Sequence, residues 1–180
     1  TIQTTLGTAG NRINGGAGLD TLKLAASTTL DLSAAALTVN QTVKAIQEIE
    51  IITLQGNSTL TLSANDALSL GMTDAFVSNG KVQFMVNGTN TDTVTFKNLL
   101  SDAVGGNTDL AGYWSKVGRQ TYNSISYDIY DHIGTGAEVW IQATAKVAPM
   151  IAITRSGSGT MLGPEIITFT LSQPTTNFIQ

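Results

Sequence analysis

The sequence predicts an all-β protein in which residues 1–145 form a β-solenoid or β-roll-like domain. Three observations lead to this prediction: a glycine-rich nonapeptide, short runs of alternating apolar and polar residues, and a polar fraction dominated by Thr, Ser, Asn and Gln. Alternation with a period of two residues is the pattern of a half-buried strand, and threonine suits strands. The irregular spacing of the runs is typical of stacked strands joined by loops of different length.

The nonapeptide begins at Gly15, reads GGAGLDTLK and fits the calcium-binding pattern G-G-x-G-x-D-x-U-x at every position. Glycines permit a tight turn that exposes backbone carbonyls, and calcium takes six to eight oxygen ligands. One repeat earlier, residues 6–14 keep only part of the pattern. The candidate calcium ligands are Asn11, Gly16, Gly18 and Asp20. The alternative is a glycine-rich turn that precedes the first strand and binds nothing tightly.

Alternating runs predict the strands of the first half at 21–24, 29–32, 49–54 and 59–62. Two segments look helical. Ala34 to Ala45 is rich in Ala and Val with few helix breakers, and Ser63 to Leu70 begins with a capping-box-like pair, Ser63 and Asp66. Gly71 is expected to end the second helix.

In the second half, strands are predicted at 82–86, 93–96, 113–117, 126–130 and 137–142. Residues 87–92 join the first two strands, either as a hairpin or as a corner between stacked strands. Residues 146–150 are predicted to be a linker, and two further strands follow at 151–154 and 165–172.

Composition excludes several functional classes. The 180 residues include no cysteine and a single histidine, His132, which argues against disulfides and the usual zinc sites. The net charge is −4 and the nine basic residues are scattered, so no nucleic-acid partner is expected. No apolar run approaches the ~20 residues of a membrane span. No nucleophile elbow accompanies His132, and we expect a protein that is not an enzyme.

The aromatic residues leave two interpretations open. Both tryptophans and all four tyrosines lie between Tyr113 and Trp140. Trp114, Tyr127, Tyr130 and Trp140 are candidates for a glycan-stacking platform. The alternative is a core or end cap, because aromatic side chains bury large apolar areas.

Two segments carry a resemblance to a known family. Residues 150–178 contain IAIT, TFTLS and PTTNF, which resemble the opening of the Ig-like repeats of bacterial biofilm-associated adhesins. Residues 59–142 contain LTLS, DTV, WSKVG and YDIY, which are similar to the β-rich segments that precede such repeats. Together with the nonapeptide, these motifs resemble large RTX-type adhesins and biofilm matrix proteins that type I systems secrete.

The resemblance implies a secreted, cell-surface or extracellular-matrix module that uses calcium and contacts neighbouring repeats or other copies of itself. It also implies that residues 151–180 are the opening strands of an Ig-like repeat, which must be incomplete because an Ig-like sandwich needs ~100 residues. Unpaired strands can complete the sheet of another chain. The candidate assembly strand is Ile166, Ile167, Thr168, Phe169, Thr170 and Leu171. The open alternatives to the adhesin module are a filament subunit linked by strand complementation and a glycan-binding module.

Overall fold

A computed structural model describes residues 12–34, 38–39, 43–97, 112–156 and 166–171. The strands of the first half are β1 (Ile13–Asn14), β2 (Thr21–Lys23), β3 (Thr29–Asp31), β4 (Thr38–Val39), β5 (Val43–Lys44), β6 (Ile46–Gln47), β7 (Ile51–Thr53) and β8 (Thr59–Leu62). Helix α1 (Ala64–Leu70) follows. The remaining strands are β9 (Met72–Thr73), β10 (Val82–Asn87), β11 (Thr93–Phe96), β12 (Tyr113–Tyr122), β13 (Ile125–Ile133), β14 (Ala137–Gln142), β15 (Lys146–Val147), β16 (Ile151–Ser156) and β17 (Ile166–Leu171).

One mixed sheet and one parallel sheet organise the described chain and confirm the all-β class. The first has the strand order β12-β13-β14-β10-β7-β2, with β9 paired to β10, and the second has the order β15-β11-β8-β3. Strands β2, β7, β10 and β14 pair in parallel, as do β3, β8, β11 and β15. Successive strand pairs along the chain, such as β2–β3 and β7–β8, therefore contribute one strand to each sheet.

The register of these parallel strands stacks apolar side chains in ladders. Leu30 aligns with Leu60, which aligns with Val94 in β11. Strands β8 and β11 alternate half-buried and buried residues, which is the pattern predicted from the sequence. Both sheets contribute to one hydrophobic core, whose members include Leu22, Ile52, Val86, Val139, Leu30, Leu60, Val94 and Phe96. Each such buried side chain contributes about 1.5–3 kcal/mol relative to an exposed one.

The corners that lead into the second sheet are joined by a ladder of polar groups. The Thr28 backbone N–H donates to Ser58 Oγ at 3.2 Å, and the Ser58 N–H donates to Asp92 Oδ1 at 2.9 Å. Asp92 Oδ2 accepts from the N–H and the hydroxyl of Thr89 at 2.8 and 2.9 Å. Each corner is thus completed by a side chain of the following strand pair. Because β10 and β11 lie in different sheets, residues 87–92 form a corner rather than a hairpin.

Helix α1 has the capping box that the sequence predicts. The Asp66 N–H donates to the Ser63 side chain, the Ser63 N–H donates to Asp66 Oδ2, and Gly71 is the C-cap. The other predicted helix, Ala34 to Ala45, is wrong where the chain is described: β4 and β5 pair in antiparallel fashion there. The β-branched residues Thr38, Val39 and Val43 favour strands and outweigh the alanines.

Residues 146–150, predicted as a linker, contribute to the second sheet and to the core. The Lys146 N–H donates to the Asp92 carbonyl at 3.0 Å, and Val147 aligns with Val94. Met150 is 3% exposed within the core cluster. Strands β16 and β17 follow as an antiparallel pair, with Ile151 opposite Leu171.

Candidate functional site

The nonapeptide forms a turn between β1 and β2 that depends on its glycines. Gly16 and Gly18 have φ angles of +86° and +107°, which glycine adopts at little cost. A Cβ on Gly15 would lie 2.0 Å from the Glu48 carbonyl oxygen and 2.5 Å from Asp20 Cβ. The first glycine of the motif is therefore required because the chain passes close to the next strand pair.

Acidic groups lie beside this turn. The Asp20 N–H donates to Glu50 Oε2 at 2.9 Å, and Glu50 is 4% exposed. Glu48 and Glu50 also line an open cavity of about 600 Å³ with Gly16, Gly18 and the end of α1. Carboxylate and carbonyl oxygens suit calcium. However, the described residues contain no group of three or more His, Cys, Asp or Glu side chains that could hold a metal ion.

The four predicted calcium ligands are therefore only partly placed. Gly16, Gly18 and Asp20 lie on one turn, and Asn11 lies outside the described residues. Glu48 and Glu50 were missed as neighbours of the turn, although their position next to β7 in the alternating run offered a signal.

The candidate aromatic platform does not form one surface. Trp114 and Tyr130 belong to the main core, whereas Tyr127 and Trp140 belong to a second cluster with Met85 and Ile129. The four side chains are 1–4% exposed, so neither ring face is open for a sugar to stack on. Alternation along β13 sends Tyr127 and Tyr130 to opposite faces of the sheet, which separates the set.

The main-core aromatic residues pack around the end of β11. The Phe96 and Trp114 rings stack at a centroid distance of 4.4 Å, and the Trp114 indole N–H donates to the Lys97 carbonyl at 2.8 Å. Burial raises the pKa of Tyr130 to about 12, so its hydroxyl stays neutral at any ordinary pH. His132 is 1% exposed, with its Nδ1 3.1 Å from Thr135 Oγ1 and its ring against Trp114. These contacts are those of a packed core.

The second aromatic cluster lies under the segment between β9 and β10. Phe76 packs against Trp140 and Tyr122 at centroid distances of 5.7 and 5.5 Å. Gln83 is fully buried and holds this segment by accepting from the N–H groups of Phe76 and Val77. The outward face of the first sheet therefore has its own covering layer.

A group of charged residues lies at one end of this covering layer, and sequence reasoning missed it. Lys81 Nζ is 2.5 Å from Asp131 Oδ2 and 3.4 Å from Glu138 Oε2. The Trp140 indole N–H donates to Glu138 Oε1 at 2.7 Å, and Asn79 Nδ2 reaches both Glu138 oxygens. The alternation of β14 places Glu138 on the same face as Trp140. Lys81, however, is 50 residues from Asp131 and 57 from Glu138 along the chain, so no local pattern indicates the group.

The candidate assembly strand, residues 166–171, is β17 and pairs with β16 of the same chain. In the described part of the chain, this pair forms a two-stranded sheet of its own.

Comparison with protein-family models, with curated proteins and with solved structures finds no match. Among the described residues, no helix is long and apolar enough to cross a membrane.

Proposed function

We propose that this chain is a structural module of a secreted, calcium-responsive bacterial adhesin or biofilm matrix protein, built as a β-solenoid. The observation that carries the proposal is the shared register of successive strand pairs in both sheets. Thr21, Ile51 and Met85 align in the first sheet, while Thr29 and Thr59 align in the second. Each strand pair is a template for the next, which is how repeat proteins build extended structures.

The stacking suits a load-bearing spacer. Hydrogen bonds between parallel strands run along the stacking direction, and each added strand extends a sheet by about 4.8 Å. The polar corner ladder and the apolar ladders tie each strand pair to the next at two separate places. A chain of such modules would hold a surface or a matrix at a fixed distance, which is the role that the resemblance implies.

Calcium enters this proposal at the nonapeptide turn. The Asp20 carboxylate, the Glu50 carboxylate and the backbone carbonyls of the glycine turn would hold the ion, which would supply positive charge between acidic groups. Two features support this placement of calcium: Glu50 lies beside Asp20, and the adjacent cavity is open. Bound calcium would link the β2 and β7 strand pairs and stiffen that end of the stack.

Light scattering and thermal unfolding in calcium and in chelator test this proposal. We expect a more compact and more heat-stable chain in calcium. Asp20→Asn should remove the calcium response, whereas Asp74→Asn should keep it, because Asp74 lies in a different turn and accepts from Asn79 and Gly80. A monomer whose size and melting temperature ignore the chelator would refute the calcium part of the proposal.

A filament subunit is the second candidate, and the β16–β17 pair is the observation that favours it. A two-stranded hairpin is marginally stable by itself, so this pair gains stability from any further strand that joins its edge. A strand from a neighbouring copy would do so by strand complementation. A ladder of masses in light scattering, abolished by deleting residues 166–171, would support the filament, and a monomer at all concentrations would contradict it.

A further inference from the structure

The Lys81 ammonium contacts two acidic side chains at once. Lys81 Nζ lies 2.5 Å from Asp131 Oδ2 and 3.4 Å from Glu138 Oε2. Asp131 Cγ is the atom bonded to Oδ2, and it is the atom that the lysine nitrogen would attack. The lysine nitrogen is therefore placed next to the carboxyl carbon.

Two further observations concern the surroundings of this pair. The Glu138 side chain is 4% exposed and is oriented by Trp140 and Asn79, so it is held within reach of Nζ. Asp131 Oδ1 is buried, and no donor among the described residues reaches it. A buried carboxylate oxygen without a donor is costly, so a reaction that converts the carboxylate into a neutral group lowers that cost.

We propose that Lys81 and Asp131 condense into an intramolecular isopeptide bond, with Glu138 as the proton-transfer group. The new bond joins Nζ to Cγ, and the bond between Cγ and one carboxyl oxygen breaks. An ammonium and a carboxylate give an amide and one water molecule, so neither an oxidant nor a co-reactant is needed. The net charge of the protein does not change.

The proton path follows from the contacts. Transfer of one proton from the ammonium to the Asp131 carboxylate gives a neutral amine and a carboxylic acid. Nζ then attacks Cγ, and Glu138 accepts a second proton from the nitrogen. Glu138 returns that proton to the departing hydroxyl, which leaves as water, so Glu138 begins and ends as a carboxylate.

Proximity lowers the barrier that the reaction has in water. Partial burial acts to lower the pKa of Lys81, but its hydrogen bonds and charge contacts with Asp131 and Glu138 outweigh burial and raise that pKa. The free amine is therefore scarce. Against this, an oriented intramolecular pair reaches effective concentrations of about 10⁵–10⁸ M. The two residues are 50 positions apart in sequence, so the bond forms only in the folded chain.

Intact-mass spectrometry of the purified, folded protein tests the proposal directly. We expect a mass lower than the sequence mass by one water, and a tryptic cross-linked peptide that joins Lys81 to Asp131. Lys81→Arg keeps the positive charge but lacks the primary amine, so this variant should have its full sequence mass. Glu138→Gln keeps an acceptor for Trp140 but loses the proton-transfer group, so it should also have its full mass.

The alternatives give different results. The full sequence mass in folded protein, after prolonged incubation, would overturn the isopeptide bond and leave an ion pair. Loss of water that persists in Lys81→Arg would also overturn it, because the water would then come from another residue. Loss of water that persists in Glu138→Gln would refute the role of Glu138. Circular dichroism of both variants establishes that a full mass does not result from unfolding.

Discussion

Asp92 should be one of the most sensitive polar positions in the molecule. Its side chain accepts from the Ser58 N–H at 2.9 Å and from the Thr89 N–H at 2.8 Å, and the residue is 0% exposed. In Asp92→Ala, the Ser58 donor stays buried without a partner, which costs about 1–3 kcal/mol. The Thr89 N–H and hydroxyl lie in an exposed turn, where water replaces the lost acceptor. Their loss therefore costs only about 0.5–1 kcal/mol. The expected loss is about 1.5–4 kcal/mol in total.

Urea unfolding monitored by tryptophan fluorescence measures this loss, since Trp114 and Trp140 are both buried. With a slope of about 2 kcal/mol/M, the midpoint should fall by about 0.75–2 M. Thr91→Ala is the matched control. The Thr91 hydroxyl also accepts an N–H from the preceding strand pair, because the Asn57 N–H donates to it at 3.2 Å, but this site is exposed. The control should change stability by less than about 0.5 kcal/mol. Equal midpoints for the two variants would refute the argument from burial.

Three further predictions concern local features. Gly15→Ala should destabilise by about 1–3 kcal/mol because its Cβ meets backbone, whereas Gly136→Ala, with open space around its Cβ, should be nearly neutral in thermal unfolding. Ser63→Ala should cost about 1 kcal/mol through loss of the helix cap in urea unfolding, and a cost near zero would contradict the capping box. Burial acts to raise the pKa of Asp92, but the hydrogen bonds from Thr89 and Ser58 outweigh it and hold that pKa below its ordinary value. The stabilisation is therefore complete above the unfolded pKa of ~3.9 and is lost as pH falls through the folded pKa. Urea midpoints measured between pH ~2 and ~6 should fall on acidification, and they should fall less in Asp92→Asn.

The predictable part of the fold is the part that depends on local sequence. Alternation predicted strands β2, β3, β7 and β8, and the spacing of Ser63 and Asp66 predicted the start of α1. These signals work because a strand exposes alternate residues and a cap needs residues three apart. The helix predicted at 34–45 is wrong at residues 38–39 and 43–44, which form strands. It shows the limit of composition, because the prediction gave the alanines more weight than the β-branched residues.

Long-range placement could not be predicted from one sequence. The aromatic residues cluster in sequence, but alternation in β13 divides them between two faces of a sheet. The charged group shows the reverse case, since its members are distant in sequence and close in the fold. Lys81 meets Asp131 and Glu138 only after β10, β14 and β13 have paired side by side. Such pairing depends on the order of strands in the sheet, and no local pattern encodes that order. The linker prediction failed for the same reason, since β15 is two residues long and is defined by its partner β11.

The register of the stack is independent of the length of chain between successive strands. Thr28 and Ser58 are 30 residues apart and Ser58 and Asp92 are 34 apart, yet all three occupy equivalent corners. The extra residues are accommodated in connecting segments such as the one that carries α1. Insertions and deletions in those segments should therefore leave the alignment of both sheets intact, so that a foreign peptide could be displayed there at a defined height on the protein. A single-residue insertion directly before Leu60 in β8 would instead move Leu60 and Leu62 from the core to the opposite face of the sheet.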